Sequence, residues 1–213
     1  MRTDELVRIL ATGAEPVERH AVGRRFAIAL GLGAPAAILL MLVLLGLRPD
    51  LAAAMRLPMF WVKLAFSGSL AVASLIACMR LARPGRRLGR VPIALALPVI
   101  AIWLIAGVAL LAAEPHARGE LILGATWMVC PWLIALLSLP LLAAGLWAMH
   151  GLAPTRLPLA GAALGLLAGS IGALIYCLHC PEVAAPFVGT WYLIGMLIPG
   201  LVGGLVGPRL LRW

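Results

Sequence analysis

The chain has 213 residues, of which 63% are hydrophobic and only 12% are charged. This number of polar groups is too small to cover the surface of a soluble domain. The composition therefore excludes a soluble globular protein and indicates an integral membrane protein. The net charge is +9, from 17 Lys and Arg against 8 Asp and Glu. In a membrane protein such a basic excess first indicates topology, because cytoplasmic loops are enriched in Lys and Arg.

The first 25 residues are the only polar segment of any length, and they predict a short amphipathic helix. The helix has an acidic first turn and one apolar face: Asp4 and Glu5, then Leu6, Ile9 and Leu10. A tail this short cannot build its own core. It is either a disordered leader or a peptide that folds onto a partner.

Apolar runs of bilayer-spanning length predict six transmembrane helices and an all-α, polytopic fold. The predicted spans are residues 26–47, 58–79, 91–113, 130–147, 159–178 and 187–206. The fourth apolar run, 121–149, is too long for one span, and Pro131 offers a break near its start. Residues 121–129 are therefore predicted to be partly interfacial. In the fifth and sixth spans, glycines at four-residue spacing predict close helix packing: Gly161, Gly165 and Gly169, with Gly200 and Gly204.

The arginines divide unequally between the two ends of these spans. Thirteen lie on the side of residue 1, five of them in the 80–90 loop, and three lie on the other side. This split predicts that both termini are cytoplasmic, with residues 1–25 as a cytoplasmic tail and 26–213 as the six-helix membrane domain. The split also accounts for most of the net charge. The lipid bilayer is therefore the predicted partner of the basic residues, and no direct nucleic-acid partner is predicted.

The densest reactive chemistry in the chain is the sequence Tyr-Cys-Leu-His-Cys-Pro-Glu at 176–182. The topology places His179, Cys180 and Glu182 at the outer face, together with Cys130 at the start of the fourth span. Cys177 lies about one turn deeper. Cys78 falls at the cytoplasmic end of the second span, where a thiol stays reduced.

Lys63 is a lone cation inside the second span. Its stem can snorkel to the outer boundary, or its ammonium can pair with Asp50 or Glu182. Snorkelling is the expectation.

Three functional classes fit these residues. A membrane sensor would use the outer thiols as input and the tail as output. A thiol-disulfide oxidoreductase would use Cys177 and Cys180 as a C-x-x-C pair, and a small transporter would line a path with polar groups at mid-membrane. The transporter is disfavoured because the spans carry no cluster of charged or amide residues. The oxidoreductase is limited because Cys177 is the deeper partner and the chain has no second C-x-x-C.

Nearly the whole chain, in order, resembles the NrsF family of six-span bacterial anti-sigma factors. The matching pieces are TDELV at 3–7, PV at 16–17, FWVKL at 60–64, Trp127 and Cys130, LSLP at 137–140, APTR at 153–156, YCLHCPE at 176–182 and FVGTWY at 187–192. The resemblance implies an inner-membrane protein without catalytic activity or cofactor, whose tail binds an extracytoplasmic-function sigma factor. It also implies that Cys130 and Cys180 take part in sensing stress, while Cys177 has no assigned role.

Two chemistries are open for the sensor thiols. Cys130 and Cys180 can cycle between dithiol and disulfide, which needs Cα atoms within about 7 Å. Alternatively, their thiolates can bind a soft metal transiently, with His179 or Glu182 completing the contact. Direct thiol chemistry without a permanently bound metal is preferred, because no further ligand pair is present in the sequence.

Overall fold

A computed structural model describes residues 2–12 and 20–212, except for the side chains of Leu6, Ile9, Leu10 and Ala11. These residues form helices and connecting turns, and no strand occurs among them. In chain order, the helices are α1 (Thr3–Thr12), α2 (Ala21–Leu44), α3 (Leu51–Ala54), α4 (Pro58–Leu81), α5 (Val91–Ala112), α6 (Ala117–Leu123), α7 (Cys130–His150), α8 (Leu157–Tyr176), α9 (Ala185–Phe187) and α10 (Leu193–Leu210). A π-helical turn, Val188–Tyr192, joins α9 to α10.

Six of the described helices are long and apolar enough to cross a membrane: α2, α4, α5, α7, α8 and the continuous stretch Ala185–Leu210. The predicted all-α, six-span fold is therefore confirmed, and the chain is a multi-pass membrane protein. The bounds differ by a few residues; in particular, α2 begins at Ala21, so Arg24 and Arg25 lie on its first turns. The predicted break before Cys130 is confirmed, since α6 ends at Leu123 and α7 begins at Cys130.

Helix α8 is the centre of the bundle. It packs against α10, α7, α4 and α2, and 67% of its most apolar 18-residue stretch is buried inside the protein. Helix α5 is peripheral: only 11% of the corresponding stretch is buried, and the helix packs mainly against α4 and α9. The core thus surrounds α8, and the end of α8 fixes where the thiols of residues 177–180 lie.

The close packing predicted for the last two spans is confirmed. A Cβ added to Gly165 would collide with the carbonyl oxygen of Pro199 and would lie 2.8 Å from the Cα of Gly200. A Cβ on Gly161 would collide in the same way with the carbonyl of Gly203. A Cβ on Gly200 or Gly204, the two glycines predicted on this span, would make only ordinary contacts, and the α10 glycines where it would collide with the backbone near α8 are Gly203 and Gly207. Small residues allow the two backbones to touch, as is common between helices in lipid.

Six crossings divide the connecting segments between two ends of the bundle. The thiol end comprises residues 45–57, 113–129 and 177–184, and the arginine end comprises residues 82–90, 151–156 and 211–212 together with the start of α2. Because the number of spans is even, residues 20 and 212 lie at the same end, as predicted.

Candidate functional site

Three of the four cysteines lie at the thiol end. Cys130 is the first residue of α7, Cys177 directly follows α8, and Cys180 lies in the turn beyond it. All four cysteines are free thiols and fully buried; Cys78 lies near the other end of α4. The thiols of Cys130 and Cys180 are close enough for one to donate a hydrogen bond to the other. Residues 50 positions apart are therefore brought together by α7 and α8.

Local backbone chemistry holds each of these two thiols in place. At the end of α8, the amide groups of His179 and Cys180 both donate to the carbonyl oxygen of Tyr176, at 3.0 and 2.9 Å. Pro181 then prevents the helix from continuing, because it has no amide hydrogen. On α7, the amide of Cys130 donates to the carbonyl oxygen of Thr126 at 2.9 Å, and Pro131 occupies the first turn, where proline is favoured.

Lys63 points into the site. Its side chain is 0% exposed, so the snorkelling expectation is wrong. The Nζ atom donates hydrogen bonds to the backbone carbonyl oxygens of Glu182, at 2.9 Å, and Cys180, at 3.3 Å, and lies 4.6 Å from the centre of the Tyr192 ring. Lys63 faces inward because the turn after α8 leaves carbonyl oxygens without helical partners, and these accept from it.

A second cation reaches the same turn from the first loop. Nη1 of Arg48 donates to the carbonyl oxygen of Cys180 at 3.1 Å, and two further guanidinium nitrogens donate to the Asp50 carboxylate, both at 2.7 Å. The two bonds between Arg48 and Asp50 raise the pKa of Arg48 and hold the pKa of the Asp50 carboxyl below its usual range. Asp50, one of the two acids considered for Lys63, is therefore paired with Arg48.

In the described part of the chain, two hydroxyl groups border the thiols and have no hydrogen-bond partner of normal geometry. They are the Tyr192 hydroxyl and Oγ of Ser67, and both are fully buried. Ser67 lies beside Cys177, and Tyr192 lies beside Cys177 and Cys180. Tyr192 ends the π-helical turn, a rare form of backbone that occurs frequently at functional sites. The sequence analysis missed Ser67, Tyr192 and the role of Arg48.

His179 and Glu182, the other two residues considered for a soft-metal contact, turn away from the thiols. The His179 Nδ1 atom is 3.0 Å from the carbonyl oxygen of Gly46, to which it donates, and Oε1 of Glu182 accepts from the amide of Ala125 at 2.8 Å. Among the described residues, no group of three or more His, Cys, Asp or Glu side chains could hold a metal ion.

The segment before α7 closes over this turn. Nε1 of Trp191 donates to the carbonyl oxygen of Ile122 at 2.8 Å, and the rings of Trp127 and Trp191 are 5.2 Å apart. The bond from Ala125 to Glu182 adds a third contact. The interfacial segment and the thiol turn are thus joined.

The predicted partner-binding helix is present as α1, Thr3–Thr12, with Asp4 and Glu5 exposed in its first turn. The side chains of Leu6, Ile9 and Leu10 lie outside the described part of the chain, so their predicted role as a binding face remains a prediction.

Comparison with known proteins supplies the family. The family model described as NrsF, "Negative regulator of sigma F", matches residues 10–213. The chain belongs to the NrsF family. The protein named "Probable anti-sigma-F factor NrsF" from Azospira oryzae is 54% identical over 213 residues, and "Anti-sigma-F factor NrsF" from Caulobacter vibrioides is 44% identical over 215 residues. Each alignment covers 100% of both chains. No solved structure matches the chain.

The resemblance noted in the sequence is therefore confirmed. The NrsF match includes Lys63, Cys130 and Cys180, and the two relatives also extend through the tail before residue 10.

Proposed function

We propose that this NrsF-family protein is an anti-sigma factor of the bacterial inner membrane that holds an extracytoplasmic-function sigma factor through residues 1–25. It releases the sigma factor when Cys130 and Cys180 react at the periplasmic side. Relatives that align over their full length carry the name anti-sigma factor, which supports the regulatory role. The observation that carries the sensor is the meeting of the Cys130 and Cys180 thiols in an otherwise apolar bundle.

The orientation in this proposal rests on charge. With thirteen arginines on the side of residue 1 and three on the other, the arginine end is cytoplasmic. The thiol end then faces the periplasm, an oxidising compartment where thiol chemistry is available. Residues 26–213 form the membrane domain in this proposal, and the tail meets the sigma factor in the cytoplasm.

The chemistry is direct reaction of the paired thiols. Oxidation by a two-electron oxidant, such as a peroxide, forms a sulfur–sulfur bond between Cys130 and Cys180. The two thiols lose two electrons and two protons to the oxidant. Because Cys180 interacts with Cys130 on another helix, the sensor is supported over an oxidoreductase that pairs Cys177 with Cys180.

A route from the thiols to the tail runs through α7 and α2. Cys130 opens α7, and α7 packs against α2 so closely that a Cβ on Gly33 would lie 3.1 Å from the Cα of Leu141. Helix α2 follows the tail in the chain. A bond to Cys180 that shifts the start of α7 would therefore reach α2, provided that the stimulus favours one packing state.

The test is retention of the sigma factor by membranes in cells that express both proteins. Cys130→Ser and Cys180→Ser are each expected to hold the output in one state whatever oxidant or heavy metal is added. Cys78→Ser is the matched control, since it removes an equally buried thiol near the arginine end. A normal response in both the Cys130 and the Cys180 variant would overturn the sensor and leave these cysteines as packing residues.

A further inference from the structure

Among the described residues, Lys63 is a buried ammonium without a carboxylate partner. Its Nζ atom contacts the carbonyl oxygens of Cys180 and Glu182 and the face of the Tyr192 ring, and none of these groups carries a net negative charge. In the described part of the chain, the carboxylates in ion pairs belong to Asp50 and Glu114, and neither pairs with Lys63. Burying a charged group costs free energy that carbonyl dipoles offset only in part, so an anion near Lys63 would stabilise this arrangement.

The two buried hydroxyl groups also lack, in the part of the chain that the structure describes, an acceptor that an anion near the thiols could provide. The Tyr192 hydroxyl and Oγ of Ser67 have hydrogens to donate and no acceptor of normal geometry among the described residues. A neutral thiol is a weak acceptor, whereas a hydrogen bond to a charged acceptor is about twice as strong as one between neutral groups. A thiolate at Cys180 would therefore compensate the ammonium and accept from the Tyr192 hydroxyl, which lies beside it. The Ser67 hydroxyl lies beside Cys177 instead.

Among the described residues, the titratable or charged side chains that interact with Cys180 come from five parts of the fold. Helix α4 supplies Lys63, α7 supplies Cys130, and the first loop supplies Arg48. The end of α8 supplies Tyr176 and Cys177, and the π-helical turn supplies Tyr192. Arg48 is already balanced by Asp50. The unbalanced charge in this set is that of Lys63, and a thiol is the group that ionises most readily near neutral pH.

We propose that Lys63 is a positioning residue of the sensor, whose ammonium is the counter-ion of a thiolate at Cys180. Cys180 is then the thiol that reacts first, and Cys130 is its partner. The assignment rests on the proposed function for its biological meaning, but the ionisation itself is a property of the isolated protein. The pKa of the Cys180 thiol lies below its ordinary value, because Cys130 donates a hydrogen bond to it and Lys63 stabilises the thiolate against the opposing effect of burial.

The experiment is the pH profile of Cys180 alkylation in the full chain held in lipid nanodiscs. Iodoacetamide is a small neutral probe: the thiolate sulfur displaces iodide and forms a carbon–sulfur bond, and peptide mass spectrometry follows Cys180 and Cys177 separately. The midpoint of the profile is the readout. The rate at neutral pH is not, because a thiolate of lower pKa is also a weaker nucleophile, which offsets its greater abundance.

In the wild type, the midpoint at Cys180 is expected to lie below the ordinary thiol pKa of about 8.5. Lys63→Met should move it upward by at least about one pH unit, which is a tenfold change in the ionisation constant. Lys63→Arg keeps the charge and should keep the low midpoint. Arg56→Met, which removes an exposed cation from the same end of the bundle, should leave it unchanged.

A wild-type midpoint at or above about 8.5 would overturn the proposal without any variant, so the test survives if Lys63→Met cannot be purified. A low midpoint that persists in Lys63→Met, or that belongs to Cys177 rather than Cys180, would also overturn it. The sigma-factor retention assay can fail while this profile holds, and the reverse, so the two proposals are separable.

Discussion

Arg48 and Lys63 donate hydrogen bonds to one carbonyl oxygen, that of Cys180, at 3.1 and 3.3 Å. They come from the loop after α2 and from the inside of α4, so the turn that carries Cys180 is tied to two other parts of the bundle. The two cations differ in one respect: Arg48 has a carboxylate partner in Asp50, and Lys63 has none among the described residues. Arg48 therefore anchors the turn, whereas Lys63 adds an uncompensated positive charge beside the thiols.

Asp50→Asn should loosen this anchor. Without the carboxylate, the buried Arg48 guanidinium is left uncompensated, and we expect the thermal unfolding midpoint in detergent to fall by a few degrees. Glu114→Gln is the matched control, because that carboxylate is exposed and pairs with an exposed His116. It should leave the midpoint unchanged.

The effect of Asp50→Asn also has a pH signature. The pKa of the Asp50 carboxyl is lower in the folded protein than its ordinary value of about 3.9, so the stabilisation is fully present above that value. It is lost as the pH falls through the folded pKa. The difference between wild type and variant should therefore be constant from neutral pH down to about 4 and disappear in stronger acid. A difference that grows on acidification would contradict the ion pair as its source.

The predicted output surface is the apolar face of α1. Replacing Leu6 and Leu10 by Asp should weaken sigma-factor retention at least about 100-fold while leaving membrane insertion intact, because a short docked helix concentrates its binding energy in a few apolar anchors. Retention is measured by pulling down the sigma factor with solubilised protein.

The matched control for the tail is Arg8→Glu. It changes the charge of α1 by the same amount as the double substitution, but on the opposite side of the helix from Leu6 and Leu10. Unchanged retention in this control, with loss in the double variant, separates apolar docking from charge. If the double variant still retains the sigma factor, a cytoplasmic loop such as 80–90 is the docking element.

The six spans could be predicted because each is a continuous apolar run. Glycines at four-residue spacing predicted that the last two spans pack closely, but not which helix each of them meets. The placement of Cys130 and Cys180 at one end follows from counting spans. These are local or topological properties, and they need no knowledge of which helix touches which.

The direction of Lys63 could not be predicted in this way. Whether a lysine snorkels or turns inward depends on acceptors inside the bundle, and here those acceptors are the carbonyl oxygens of residues 180 and 182, 117 and 119 positions away. They are free because Pro181 interrupts the helix, yet nothing in the spacing relates that turn to α4. The Arg48–Asp50 pair, by contrast, joins residues two positions apart and could have been predicted from the sequence.

Orientation is testable by reporter fusions. Because arginines collect on the side of residue 1, we expect cytoplasmic signals from reporters fused after Trp213 and inserted near Gly85. A reporter inserted near His116, in a thiol-end segment, should give a periplasmic signal. A periplasmic signal from either of the first two would reverse the placement of every thiol and contradict the sensor's access to the oxidising compartment.

The packing of α8 on α10 supports both the thiol turn and the hydroxyl that borders it, since Cys180 follows α8 and Tyr192 precedes α10. Gly165→Ala would drive a methyl group into the carbonyl of Pro199, and backbone atoms on both sides leave no flexible side chain to yield. We expect a loss of about 1 to 3 kcal/mol in stability, measured as a lower unfolding midpoint in detergent. The forced separation should also expose Cys180, so that it is alkylated faster than in the wild type.

Gly31→Ala is the control for this substitution, because a Cβ there meets nothing within 4 Å and the position is likewise helical. If Gly165→Ala matches this control in both stability and Cys180 reactivity, close backbone contact between α8 and α10 does not hold the site together.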